Sequence, residues 1–563
     1  MNRGSPLWFG SAEERTFGWL HAPSDGVAKG AVLLCPPLGY EYICAYHAFH
    51  ELAERLVDAG FAVLRFDYHG TGDATGTSLD PDRVGACLRA IDDARRELAA
   101  HTSAPISAIG MRAGALLACA AASSGAFDGL VLWDPAVSGR AFIRELQLLR
   151  MIGMGFPDKP RTDGSFESAG VDYTLETVTA LKALDLAKLE GRLASAILIA
   201  ARDGREPTTP AMSVLEQGSD RVASITAAGQ EELIGVVSAH SVVPSATIDE
   251  IVGWLVERAG PATYDVAEPT ERARRSVVGT AIDGRPIVEE ARFLGELELF
   301  AMTTEPDGGG RGPWIIGLNN STDHHIGPNR MWVELARALS ERGLRFARVD
   351  LSGIGDSGVR PGQAPHRSYA PEAFDDVTAI ASALEPGDPH DVVLVGLCSG
   401  AYVAVDVGAL FGVRAVFAIN PALDYVPKDL LGDAPTSRAA PPARKWAQAF
   451  SGSAIRGWLG AHIPPFVWTA LDRVGVFASP ARGLYHLVER EVDTNLIFGD
   501  EDKGYLKLRR RSKRHLRTLE RSPFLHISTV DGMDHALMVT GPRSLVHEQL
   551  VRQITDGYSE LKR

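Results

Sequence analysis

Cysteine is scarce in this sequence. Its 563 residues hold five, Cys35, Cys44, Cys87, Cys119 and Cys398, at irregular spacings. That pattern excludes a disulfide framework and the paired spacing of a zinc site, and it suits a reducing cytoplasm. Long apolar runs are missing too: none approaches the roughly 18 residues that cross a bilayer, so no membrane span is expected. The opening stretch MNRGSPLWFGSAEERTFGWL has charges scattered through it and no apolar core of signal-peptide length, so export is not expected. Positive charge is in deficit, with 57 Lys and Arg against 71 Asp and Glu and a formal net charge of -14. Most of such a surface repels a polyanion, which argues against a nucleic-acid partner. Nothing in the composition calls for a metal or another cofactor.

The chain carries an internal repeat. AVLLCPPLGYE, HAFHELAERLVDAG and FAVLRFDYHGTGDATG in the first half answer to WIIGLNNSTDH, MWVELARALSERG and LRFARVDLSGIGDSG in the second. The copies run in step, with Leu52 and Leu335, Asp67 and Asp350, and Gly72 and Gly355 each 283 positions apart. Each half continues through an apolar strand into a Gly-x-x-x-Gly turn, PISAIGMRAGALLAC and DVVLVGLCSGAYVAV, then a helical stretch and another strand. Continuous apolar strands alternating with helices predict α/β domains, doubly wound around mostly parallel sheets covered on both faces. RPIVEEARF and GELELFAMT read as leading strands of the second half. GPATYDVAEPTERARR breaks the apolar pattern, which puts the boundary near Ala259 to Thr270 and the domains at 1–262 and 263–563. A Pro-, Trp- and Phe-rich insertion at about 422–493 reads as a helical lid or as a subdomain that only packs.

These motifs resemble two α/β-hydrolase domains in tandem. LCPPLGYE and LRFDYHGTGD make the first half similar to hydrolases associated with exosortase systems. The most specific motif is the nucleophile elbow, Gly-x-Ser-x-Gly in most of the family, which here reads Gly396-Leu397-Cys398-Ser399-Gly400. A sulfur at the N-terminus of the following helix is favoured as thiolate. The family order of nucleophile, carboxylate and histidine implies Asp502, after the strand NLIFG, and His535, in the loop DGMDHALM, as acid and base. Asp534, next to His535, reads as a surface residue. The resemblance implies oxyanion donors at the backbone of Ser399 and of Ser321, with the Asn320 side chain as another candidate; an Asn-rich turn without a chemical role is the plainer alternative.

The first half departs from the pattern. Its elbow reads Gly110-Met111-Arg112-Ala113-Gly114, and arginine cannot act as a nucleophile. Asp203 and His240 hold the positions of the remaining acid and base, so residues 1–262 read as a degenerate copy. Arg112 either pairs with Asp203 or holds a substrate carboxylate or phosphate.

A cysteine at the elbow favours acyl transfer, because exchange between a carrier thioester and an enzyme thioester is nearly isoenergetic. Gly-x-Cys-x-Gly is similar to the elbows of polyhydroxyalkanoate synthases and assembly-line thioesterases, but also of dienelactone hydrolases. The expected activity is therefore that of an acyltransferase or thioesterase on an acyl carrier protein or coenzyme A thioester. Hydrolysis of esters or lactones is the alternative, and a non-catalytic binding protein the third reading. KLRRRSKRHLR, with Arg510, Arg511 and Arg514, concentrates positive charge in an acidic chain and reads as a dock for that carrier or cofactor, or as a solvated helix face.

Overall fold

The computed structural model describes residues 4–122, 125–152, 161–202, 204–423 and 480–559. The chain divides into two compact units, Met1–Thr280 with Pro286–Ala291, and Ala281–Arg285 with Arg292–Arg563. Tyr264–Asp265, inside the stretch where the sequence suggests a linker, pairs antiparallel with Val27–Ala28 of the first unit.

The first unit is built on eight strands, β1 (Ser5–Gly10), β2 (Arg15–His21), β3 (Gly30–Cys35), β4 (Phe61–Phe66), β5 (Ile106–Met111), β6 (Phe127–Trp133), β7 (Ala194–Ala201) and β8 (Arg221–Thr226). They lie in the order β1-β2-β4-β3-β5-β6-β7-β8. β1, β2 and β4 alternate in direction, and every later neighbour is parallel. β3 and β4 are buried along their whole length. Successive side chains point to opposite faces, so Leu33 and Leu64 enter one apolar cluster and Val32 and Val63 the other. This two-sided burial explains why the strands read as unbroken apolar runs.

The second unit repeats the plan. β9 (Leu299–Pro306) runs antiparallel to β11 (Leu344–Val349), and β11, β10 (Arg311–Gly317), β12 (Val392–Leu397), β13 (Ala415–Ile419), β14 (Asp493–Gly499) and β15 (Leu525–Val530) follow in that order, all parallel. Leu394 and Val416 pack on one face, Val393 and Phe417 on the other. Arg275–Thr280 pairs antiparallel with Pro286–Glu290, both within the bounds of the first unit. Most of the expected lid, residues 424–479, lies outside the described residues; a helix, Pro480–Glu489, leads from it into β14.

Candidate active site

Cys398 stands at the turn between β12 and the helix α1 (Ser399–Leu410), with φ 54° and ψ -109°. Such a conformation costs a non-glycine residue on the order of 1–3 kcal/mol and persists only where the surroundings impose it. The flanking glycines impose it. A Cβ on Gly396 would lie 2.3 Å from the Gly400 carbonyl carbon, and one on Gly400 would lie 2.5 Å from the Asn319 oxygen. Only bare backbone fits, and the half-buried thiol is pushed out at the C-terminal end of the parallel strands.

Three loops at that end converge on the sulfur. His535 Nε2 lies 3.1 Å from Cys398 Sγ, and His535 Nδ1 lies 2.7 Å from Asp502 Oδ2. The structure thus brings together the three residues that the sequence singles out. Asp502 follows β14 and caps the helix α2 (Lys503–Arg511), its Oδ1 accepting from the backbone N–H of Gly504 at 2.7 Å and of Tyr505 at 3.1 Å. Burial pushes the Asp502 carboxyl up, but the hydrogen bond and charge of His535 and the two capping N–H groups hold it below the usual carboxylate value. The bond to Asp502, with the one to Cys398, raises His535 to about 10. Burial also pushes the Cys398 thiol up; His535, Tyr369 and the Ser399 N–H outweigh it and hold the thiol below its ordinary value. The arrangement favours a thiolate beside an imidazolium.

The Ser399 N–H bonds to the sulfur and helps to hold the thiol low. The Ser321 N–H, the expected second donor, instead donates to Ser399 Oγ at 2.7 Å. The Asn320 amide turns to Asp323 Oδ2, 3.4 Å away, because a carboxylate in its own loop is the nearer acceptor. Asp534 is no surface residue: half-buried, it accepts the backbone N–H groups of Ala536, Met538 and Val539 and shapes the turn that presents His535. Two side chains carried no signal in the sequence. Asn420 donates to the Asp534 and His535 carbonyls and accepts from Gly499 N–H, joining the loops of base and acid. Tyr369 sets its hydroxyl 3.6 Å from Cys398 Sγ.

His325, Asp350 and Asp356 are buried with donor atoms within 4.8 Å of one another, close enough to suggest a cation. Asp350, however, has both oxygens engaged: Oδ1 by the Asn319 amide, and Oδ2 by His325 Nδ1 at 2.8 Å and the Asp356 N–H at 3.0 Å. In the first unit Tyr42 OH and the Asp73 N–H bond Asp67 in the same way. A tyrosine in the histidine's place preserves a hydrogen bond, which marks a structural brace repeated in both units.

Arg112 adopts the elbow conformation as well, with φ 55° and ψ -119°. The residue is 3% exposed, and its guanidinium meets Glu41 at 3.1 Å, Asp134 at 3.5 Å, and Glu145. Arg202 in turn reaches Asp134 at 3.0 Å. The expectation of a guanidinium offered to a substrate anion is therefore corrected, since three acids of its own unit surround it. Asp203 lies outside the described residues, and His240 is exposed at the end of a short 3-10 helix.

On α2 the side chains of Lys503, Leu506, Lys507, Arg509 and Arg510 are exposed, and Lys513 and Arg517 are exposed on the next helix, Lys513–Leu519. The side chains of Arg511 and Arg514 fall outside the described set.

Comparison with known proteins agrees with this fold. A family model described as the alpha/beta hydrolase family matches residues 312–548, and one described as serine aminopeptidase, S33, matches residues 27–168. Among solved structures, Est1E from Butyrivibrio proteoclasticus with ferulic acid bound is 15% identical over 45% of this chain and 98% of its own, at a TM-score of 0.32. An esterase from Pyrococcus furiosus is 15% identical over 48% of this chain and 91% of its own, at 0.29. A thioesterase domain from the curacin biosynthetic pathway is 16% identical over 47% of this chain and 99% of its own, at 0.28. No curated protein matches the sequence. Both regions of the chain have the α/β-hydrolase fold.

Proposed function

We propose that the second unit transfers acyl groups through a thioester on Cys398, as an acyltransferase or thioesterase acting on an acyl carrier protein or coenzyme A thioester. One observation carries this reading: sulfur, imidazole and carboxylate stand in line, 3.1 Å and 2.7 Å apart, on a strained elbow. His535 Nε2 takes the Cys398 proton, and the thiolate attacks the acyl carbonyl. The Ser399 N–H faces the oxygen that gains charge. Collapse breaks the bond to the leaving group, which receives the proton from His535. The free base then takes a proton from the acceptor as it attacks the acyl-cysteine. Asp502 holds the imidazole in the tautomer that both steps require.

The first unit, without a nucleophile, serves as a non-catalytic partner. Its LCPPLGYE and LRFDYHGTGD stretches support a kinship with exosortase-associated hydrolases. Exposed Lys and Arg on Lys503–Arg511 and Lys513–Leu519 support a dock for the carrier or for coenzyme A phosphates. All five cysteines are free, which suits a reducing cytoplasm.

Incubation with an acyl thioester followed by intact-mass measurement tests the reading. An adduct on Cys398 that passes to an added amine or alcohol supports transfer. Rapid release of free acid supports the second reading, hydrolysis of esters or lactones. No adduct and no turnover would leave a binding protein.

A further inference from the structure

Among the described residues the site around Cys398 is short of an oxyanion donor. Acyl transfer concentrates negative charge on the former carbonyl oxygen, and two convergent donors usually receive it. One is the Ser399 N–H. The other N–H at this rim, that of Ser321, is taken by Ser399 Oγ at 2.7 Å. Ser321 Oγ lies 2.7 Å from Ser368 Oγ, and that contact ties the oxyanion loop to the segment in which the next residue is Tyr369.

Tyr369 is placed with care. Its backbone has φ 57°, a left-handed conformation that carries a conformational cost for a non-glycine residue. The ring meets Tyr402 edge-on, with centroids 5.5 Å apart and an interplanar angle of 73°. Tyr402 sits one turn into α1, its N–H bonded to the Cys398 carbonyl at 3.0 Å. The elbow helix thus braces the ring, and the hydroxyl is left 3.6 Å from Cys398 Sγ.

We infer that Tyr369 is a catalytic residue whose hydroxyl completes the oxyanion hole, donating a hydrogen bond to the acyl oxygen in the tetrahedral intermediate. This rests on the reading of Cys398 as nucleophile. In the free enzyme the O–H donates to the thiolate. As the C–S bond forms, the carbonyl π pair moves onto oxygen while negative charge leaves the sulfur, and the hydroxyl follows the charge across a short distance. No proton is transferred from Tyr369. When the carbonyl re-forms and the leaving group departs with the proton of His535, the hydroxyl relaxes. A phenol is suited to the task because its O–H is a neutral donor on a ring without further flexible bonds.

The test compares wild type with Tyr369→Phe, which keeps the ring against Tyr402. Three probes serve: iodoacetamide, which alkylates the thiolate without creating an oxyanion; decyl trifluoromethyl ketone, whose hemithioketal with Cys398 carries one; and the butyryl thioester of N-acetylcysteamine as substrate. In Tyr369→Phe the limiting alkylation rate at alkaline pH should stay within about twofold. The thioester kcat/KM should fall about 10²-fold, as for loss of one oxyanion donor, and the ketone should bind about tenfold more weakly on the same grounds. Unchanged kcat/KM and ketone affinity would overturn the inference, and so would losses matched by the loss in limiting alkylation rate, which would mean only that the cysteine had been displaced. Turnover retained by Cys398→Ala would instead remove the nucleophile reading beneath it, an outcome separable from both.

Discussion

Asp502 holds His535 with one carboxylate oxygen and the start of a basic helix with the other. Oδ2 meets His535 Nδ1 at 2.7 Å, while Oδ1 accepts the N–H groups of Gly504 and Tyr505. An amide can serve the cap or the imidazole as acceptor, but not both. In Asp502→Asn the cap keeps the oxygen, because asparagine caps helices about as well as aspartate, and the NH₂ opposes His535 Nδ1–H. Thermal unfolding should therefore shift little, while kcat/KM falls by roughly 10³ to 10⁴. A parallel loss of stability and activity would contradict this division of labour.

Selective alkylation separates the cysteines. Burial drives the Cys35 thiol up to about 12 and Cys87 to about 11, and raises Cys119 further, whereas Cys398 is held low. Iodoacetamide at neutral pH should label Cys398 alone, and Cys398→Ala should abolish both labelling and turnover. Peptide mapping of the labelled protein reads the result directly.

The pH dependence has a definite sign. His535 is raised to about 10 and the Cys398 thiol is lowered. Alkylation should fall only as pH drops through the depressed thiol titration. His535→Asn removes the largest cause of that depression and leaves Tyr369 and the Ser399 N–H against burial, so the midpoint should move upward. Acyl transfer, which needs the imidazolium to protonate the leaving group, should decline above about pH 10. An alkylation profile identical in wild type and His535→Asn would refute the pairing.

Loss of Arg112 strips buried Glu41 of its cation, while Asp134 keeps Arg202 and Glu145 keeps Arg205. Breaking a buried ion pair from one side costs about 3–5 kcal/mol, so Arg112→Ser should unfold at a clearly lower temperature and gain no hydrolase activity. His240→Ala, at an exposed position, should change stability by less than about 0.5 kcal/mol. Calorimetry on the two variants distinguishes a structural arginine from a substrate-binding one, for which the melting temperature would hold.

Charge reversal at Arg510, Arg511 and Arg514 should weaken acylation from an acidic carrier protein at low salt and spare acylation by a small uncharged thioester. The deficit should shrink as salt screens the attraction. Equal rates with the carrier at low ionic strength would exclude the dock.

The repeat was legible because backbone geometry leaves little freedom at its marker positions. Gly72 and Gly355 have φ 49° and 56°, and a Cβ on either would fall within 2.1 or 2.2 Å of the Asp67 or Asp350 carboxylate. Elbow glycines are readable for the same reason, and Asp502 and His535 follow from chain order around β14 and β15. Tyr369 and Asn420 were not legible: each depends on the path of a loop and on a contact with residues far away in sequence. The Ser321 N–H was misjudged because a hydroxyl rotamer, that of Ser399, decides its partner. The partners of Arg112 come from separate segments around Glu41, Asp134 and Glu145, an encounter that no local pattern announces.

That cluster around Arg112 also bears on ancestry. If the first elbow once held a serine or cysteine, its replacement by arginine was followed, or preceded, by acids that now depend on the cation. A single reversion would strand the Glu41 carboxylate in the interior, since only Asp134 and Glu145 have a second cation, in Arg202 and Arg205. A nucleophile at the first elbow would therefore need a second change, at Glu41, and that dependence works as a one-way valve that holds the first unit to its shape.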